Sequence, residues 1–181
     1  MQNVPDASSL RTKPSGHVSN VDMFMKITGY RQGLIRGESA DSKHKGEIEV
    51  ESYSWDMMQP YDKTGTGLAT GKREFGKFTF SMRSQVATPL LLNSLSTGEH
   101  LKTAVLTCRK AGGHQQEYMT WTMSDAMLVY VKTGFLVGDE LVPHDEVSLV
   151  FRKIQLDYKE QKADGTLGGG VTFLDDWNIS A

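Results

Sequence analysis

The chain has 181 residues, with 20 lysines and arginines against 22 aspartates and glutamates, a formal net charge of −2. That length suits one domain with its own core, burying about 70 % of the unfolded surface, and the charge balance argues against a general nucleic-acid binder. A single cysteine, Cys108, leaves no intrachain disulfide; no apolar run approaches the ~18 residues of a membrane helix, and the N-terminus shows no apolar core of a secretory signal.

Residues 1–22 are polar, carry Pro5 and Pro14, and show no hydrophobic period, so they read as a flexible leader or an appended expression sequence ahead of a domain at 23–181. Residues 23–28 predict a short strand, followed by a long connection to Gly46. At 47–55 the spacing predicts another strand. Ile48 and Val50 point one way, followed by Ser52 and Ser54. Glu49, Glu51, Tyr53 and Trp55 point the other way. Neither face is uniformly apolar, which points to a face that meets solvent or a partner. Residues 56–72, with glycines at 65, 67 and 71, predict a long loop without structure of its own.

Residues 73–83 alternate. Phe78, Phe80 and Met82 form a core face; Lys77, Thr79, Ser81 and Arg83 form the other. A short helix follows, with Thr88 as the expected N-cap, Pro89 in the first helical position, Leu91, Leu92 and Leu95 on one face and Gly98 at the end. Beyond it, 102–109, 117–123 and 127–131 predict strands, the first with Ala104, Leu106 and Cys108 inward. A loop at 134–145 leads to the longest strand, 146–158. There Val147, Leu149 and Phe151 are out of phase with Ile154, Leu156 and Tyr158, which predicts a β-bulge at Arg152–Lys153. A closing strand follows a glycine-rich turn. Some eight strands and one helix predict a mainly β fold: a β-barrel of two packed antiparallel sheets.

Catalytic and metal chemistry find little support in the residues. The glycines at 65–72 lack the spacing of a phosphate loop, and a strand follows them instead of a helix. No two of the five histidines sit at ligand spacing on one element, and Cys108 reads as a small buried hydrophobe. Asp175 and Asp176 are neighbours on a strand and face opposite ways, unlike a working carboxylate pair. The residues imply no enzyme, no cofactor and no metal.

The segments "VDMFMKI" (21–27), "GESADSKHKGEIEVESYSW" (37–55), "CRKAGG" (108–113), "LDYKEQKADGTLGGGVTF" (156–173) and "WNI" (177–179) resemble the Hcp family, the haemolysin-coregulated proteins of bacterial type VI secretion. The resemblance implies a tail-tube-like barrel that forms a homo-hexameric ring. Rings stack into a tube with a spike protein at its tip, a contractile sheath drives it out, and small effectors ride in the lumen. It implies residence in the bacterial cytoplasm and then secretion without a signal peptide, with no nucleic acid and no membrane anchor. On that footing Val50, Ser52 and Ser54 are the expected lumen and effector contacts, Ser54 first among them. Thr64, Gly65, Gly67 and Leu68 belong to the loop expected to join stacked rings or neighbouring subunits. The leader before Val21 is longer than the resemblance covers, and the link at 28–39 is longer than in the shortest family forms. A phage-like tail-tube protein outside secretion and a monomeric small-molecule-binding barrel stand as alternative readings.

Overall fold

The structure, a computed structural model, describes residues 21–62, 65, 71–110, 115–134, 142–162 and 165–177. Among them lie eleven strands and one helix: β1 (Val21–Gly29), β2 (Leu34–Ile35), β3 (Ile48–Glu49), β4 (Ser52–Ser54), β5 (Met57–Met58), β6 (Glu74–Phe75), β7 (Phe78–Arg83), α1 (Ala87–Ser96), β8 (His100–Lys110), β9 (Glu117–Gly134), β10 (His144–Gln161) and β11 (Leu167–Asp176). The pairing is antiparallel throughout. One sheet runs β2-β1-β8-β9-β10-β7-β4, with β3 beside β1 and β11 beside β10; β5 and β6 form a second, small sheet. Residues 1–20 and the loop positions Thr64, Gly67 and Leu68 lie outside the described residues.

The curl of the large sheet follows from where its apolar side chains point. Met25, Ile27, Phe78, Phe80, Met82, Leu106, Met123, Leu149 and Ile154 are all sealed from solvent in one core. A sheet with one apolar face must wrap around it or be covered. Residues 48–54 bridge the seam. Ile48 and Glu49 pair with β1, and Ser52 to Ser54 pair with β7 at the far end of the strand order. Between them the Val50 N–H donates to Met23 O, and the Glu51 N–H donates to Ser81 O. The ladder is therefore not one closed ring of strands; a single stretch changes partner and spans its two ends.

That change of partner also turns the chain over. Ile48 and Val50 are buried, but past Glu51 it is Tyr53 and Trp55 that pack on the core, while Ser52 and Ser54 are exposed. The expectation that Val50 shares a face with the two serines is corrected here: strict alternation requires an unbroken strand, and this one breaks at residues 50–51.

Two more phase changes lie in the long strands. β9 runs unbroken through the segments at 117–123 and 127–131, so these are one strand of 18 residues. Asp125 takes a left-handed φ of 49° in mid-strand and bonds Arg152 across the ladder at 2.7 Å. At this level both strands switch inward residues, from Met123 to Ala126 on β9 and from Phe151 to Ile154 on β10. The slip of phase at 152–153 is present without a register shift there. The shift falls at Ser148/Leu149, where Val129 is passed over. Inward residues on the second half of β9 are thus Ala126, Leu128 and, past the skipped position, Val131, while Val129 is exposed.

Helix α1 begins at Ala87 with Val86 as its N-cap, two residues before the expected Thr88. The Thr88 hydroxyl accepts from the Gln85 N–H and donates to Asp145, so it ties the helix to β10 and does not cap it. The cap comes from Glu38, whose carboxylate accepts the Val86 N–H at 2.8 Å while the Glu38 N–H donates to Gln85 Oε1 at 3.0 Å. A carboxylate suits the positive end of the helix dipole. Ala87, Leu91 and Ser94 form the buried face; Leu92, about 100° around the helix, is exposed. β5 (Met57–Met58) lies at the start of the stretch expected to be a loop and pairs with β6, Met57 opposite Phe75 and Met58 opposite Glu74, with the Gly76 N–H donating to Asp56 O beside it.

Candidate functional site: a polar wall with two free edges

Four strands, β4-β7-β10-β9, carry their polar side chains away from the core. Cross-strand pairs set the pattern. Ser52 is opposite Ser81 and Ser54 opposite Thr79. Thr79 is opposite Ser148 and Ser81 opposite Glu146. Ser148 is opposite Tyr130 and Glu146 opposite Lys132. The result is a band of hydroxyls running across the strands. Ser52 Oγ and Ser81 Oγ are 2.6 Å apart, and Thr79 Oγ1 and Ser148 Oγ are 2.9 Å apart. Ser52 and Ser54 are exposed, Thr79 and Ser81 half-buried, and Ser148 is covered. Lys77 Nζ lies 5.6 Å from the centre of the Tyr130 ring. At one margin Glu51 meets Arg83 at 3.2 Å and His144 at 3.3 Å.

Among the described residues the wall has a free edge at each side. Among these residues β4 pairs only with β7, and the last β8 partner of β9 is Met127, so residues 128–134 pair there only with β10. Backbone N–H and C=O groups along such edges are ready to pair with another strand.

On the opposite side of the fold, the loop at 37–46 lies over the outer face of β1 and β8. Arg109 is buried there, 2.9 Å from Asp22 and 2.8 Å from Asp41, with its guanidinium carbon 5.0 Å from the Phe24 ring centre. The Arg109 hydrogen bond, helped by the Lys43 backbone N–H, holds the Asp41 carboxyl below its usual range. His44 stacks on Phe24 at 4.3 Å and meets Glu47 at 2.9 Å. These contacts explain why Thr107 and Arg109 are buried alongside Leu106 and Cys108. Burial pushes the Cys108 thiol up to about 11, out of reach of ordinary thiol chemistry.

Sequence alternation placed Lys77, Thr79, Ser81 and Arg83 on one strand face but could not show that this face adjoins Ser52 and Ser54. Strand order supplies that link. Alternation from Met127 already turns Tyr130 and Lys132 outward, and they lie on the wall; what the passed-over Val129 changes is the first half of that segment, where Leu128 is buried and Val129 is exposed. Of the expected loop contacts only Gly65 lies among the described residues, and it is exposed. No three His, Cys, Asp or Glu side chains converge as a metal set among the described residues. No helix among them is long and apolar enough to cross a membrane.

Residues 24–158 match the family described as "Type VI secretion system effector, Hcp". Protein hcp1 of Pseudomonas aeruginosa is 38% identical over 161 residues, covering 88% of this chain and 95% of that protein. The chain belongs to the Hcp family. The Major exported protein of the same organism is 28% identical over 170 residues, covering 85% of this chain and 94% of its own. The crystal structure of Hcp1 from Salmonella typhimurium superposes with a TM-score of 0.70 at 29% identity, over 88% of this chain and 96% of that one. Hcp membership makes the chain a secreted, β-rich structural protein of type VI secretion.

Proposed function

We propose that this Hcp-family chain forms a closed ring of six copies whose lumen is the β4-β7-β10-β9 wall, and that rings stack into the expelled tube. The two free edges of the wall carry this reading. A ring needs a head-to-tail contact between unlike surfaces of one chain. An edge at β4 and an unlike edge at residues 128–134 of β9 provide such a pair. Joined edge to edge, six walls make one continuous barrel with the hydroxyl band inside and every edge paired. Ser52 and Ser54 then face the lumen and effectors carried there, whereas buried Val50 supports them from the core.

Stacking falls to the loop at 56–72. Deleting residues 64–70 is expected to leave rings intact and shorten tubes seen by negative stain; unaltered tubes would remove the loop from the stack. The spike protein at the tip and the contractile sheath are the further partners this assembly requires.

A cysteine cross-link tests the ring directly. Ser54→Cys on β4 combined with Lys132→Cys on β9 puts one thiol on each edge. Within one chain the two strands are three strand spacings apart, about 14 Å, beyond the roughly 7 Å limit between the Cα atoms of a disulfide. Cys108 is buried and does not compete. Mild oxidation should give a covalent ladder ending at six. Monomer only, or dimer only, would contradict the edge-to-edge ring.

A further inference from the structure

The wall has a chemistry of its own that says what it holds. We infer that it receives the surface of a folded, acidic protein, an inference that rests on the ring reading above. Three observations carry it. First, the hydroxyl pairs have protons to spare. Ser52 with Ser81 holds two O–H groups and uses one between them, as does Thr79 with Ser148, and Ser54 is exposed beside them. A free hydroxyl proton seeks an acceptor, and a carboxylate is the strongest one a protein surface offers.

Second, the charges do not cancel. Arg83 is matched by Glu51 at the margin. Across the middle, Lys77 and Lys132 face a single carboxylate, Glu146, and neither lysine forms an ion pair among the described residues. Lys77 is held instead over Tyr130, which fixes its position and leaves its charge uncompensated. Each copy adds one positive charge to the wall, and a ring repeats it sixfold.

Third, the hydroxyl band is not itself a cleft that would enclose a small molecule. Ser52, Ser54, Thr79, Ser81, Ser148, Tyr130 and Lys132 line none of four clefts among the described residues, although one of these reaches the wall's margin at Glu51 and Arg83 and another lies farther along β9 and β10 at Thr120 and Asp157. One is at the seam by Glu38 and Glu49, one beside Arg109, one at Phe75 and Trp177, and one by Tyr118 and Val171. A polar surface with few exposed apolar side chains suits a native protein surface better than an unfolded chain. Each contact alone is weak, as exposed charge pairs are. Repetition around a lumen turns weak contacts into retention. Single-stranded nucleic acid is disfavoured: beside the hydroxyl band the exposed ring is Tyr130, and it is already occupied by Lys77, whereas stacking needs several free rings.

The test uses full-length protein and two carriers of one small folded fold, one with an acidic surface and its charge-inverted basic variant. Retention by wild type, by Lys77→Glu/Lys132→Glu and by the milder Lys77→Gln/Lys132→Gln is measured at low and high salt, with native mass read in parallel. The acidic carrier should be retained at low salt and released at high salt. The double glutamate variant should lose roughly tenfold of that retention and gain for the basic carrier, while the glutamine variant falls between. Rings that hold both carriers equally, prefer the basic one, hold neither, or hold a single-stranded oligonucleotide overturn the inference and leave the ring standing. A native mass below a ring fails the ring reading itself.

Discussion

Glu99 turns its carboxylate inward just past the helix, almost wholly buried. Burial opposes its charge. The backbone and side-chain N–H groups of Gln32 and the backbone N–H of Arg31 oppose burial and win, so the carboxyl sits below its usual range. A lowered folded value means stability that is present above the unfolded value and lost as pH falls through the lowered one. Glu99→Gln leaves backbone donors facing an amide, and should cost about 2 kcal/mol near neutral pH. In urea titrations the gap between wild type and variant should close below pH 4.5, the ordinary value; a gap constant down to the acid limit would contradict this account. Arg109 is the matching case for a buried cation. Arg109→Met leaves Asp41 without its partner and loosens the loop at 37–46, with an expected loss of about 2–3 kcal/mol, below that of a fully buried pair because Asp22 keeps solvent. An unchanged urea midpoint would mean that the loop is held by other contacts. Neither residue was legible in the sequence. A lone Glu after a glycine and a lone Arg at a strand end look solvated until the loops that cover them are placed.

At the scale of elements, local rules held wherever one strand keeps one partner. Phe78, Phe80 and Met82 were readable as core because β7 runs straight between β4 and β10. They failed where the chain changes partner or twists. Val50, Val129 and Asp125 each sit at such a point, and period-2 reasoning has no means of seeing one. The helix shows both outcomes. Its end was legible: Gly98 takes φ 59°, its N–H donates to Leu95 O, and the Glu99 N–H donates to Ser94 O, the paired bonds of a glycine-capped terminus. Its start was not, because Glu38, the residue that caps it, lies 48 positions away. Gly98→Ala is expected to cost about 1 kcal/mol. A Cβ there meets nothing within 4 Å, so the cost is conformational alone. Gly98→Asn should recover part of it in thermal melts; equal melting of all three forms would show that the terminus is not under this constraint.

For the whole molecule, the family could be read from ordered motifs spread along most of the chain, while the wall could not, because its four strands come from four separate segments. What the sequence lacked was the order β4-β7-β10-β9, and that order is what turns scattered serines into one surface. The central claim is that these walls close edge to edge into a ring. Native mass by size exclusion with light scattering, followed by negative-stain imaging of the same fractions, tests it most directly. A mass near six subunits and ring-shaped particles with an open centre are expected. A monomer maintained across a wide concentration range would contradict it, and the wall would then be only the solvated side of a barrel.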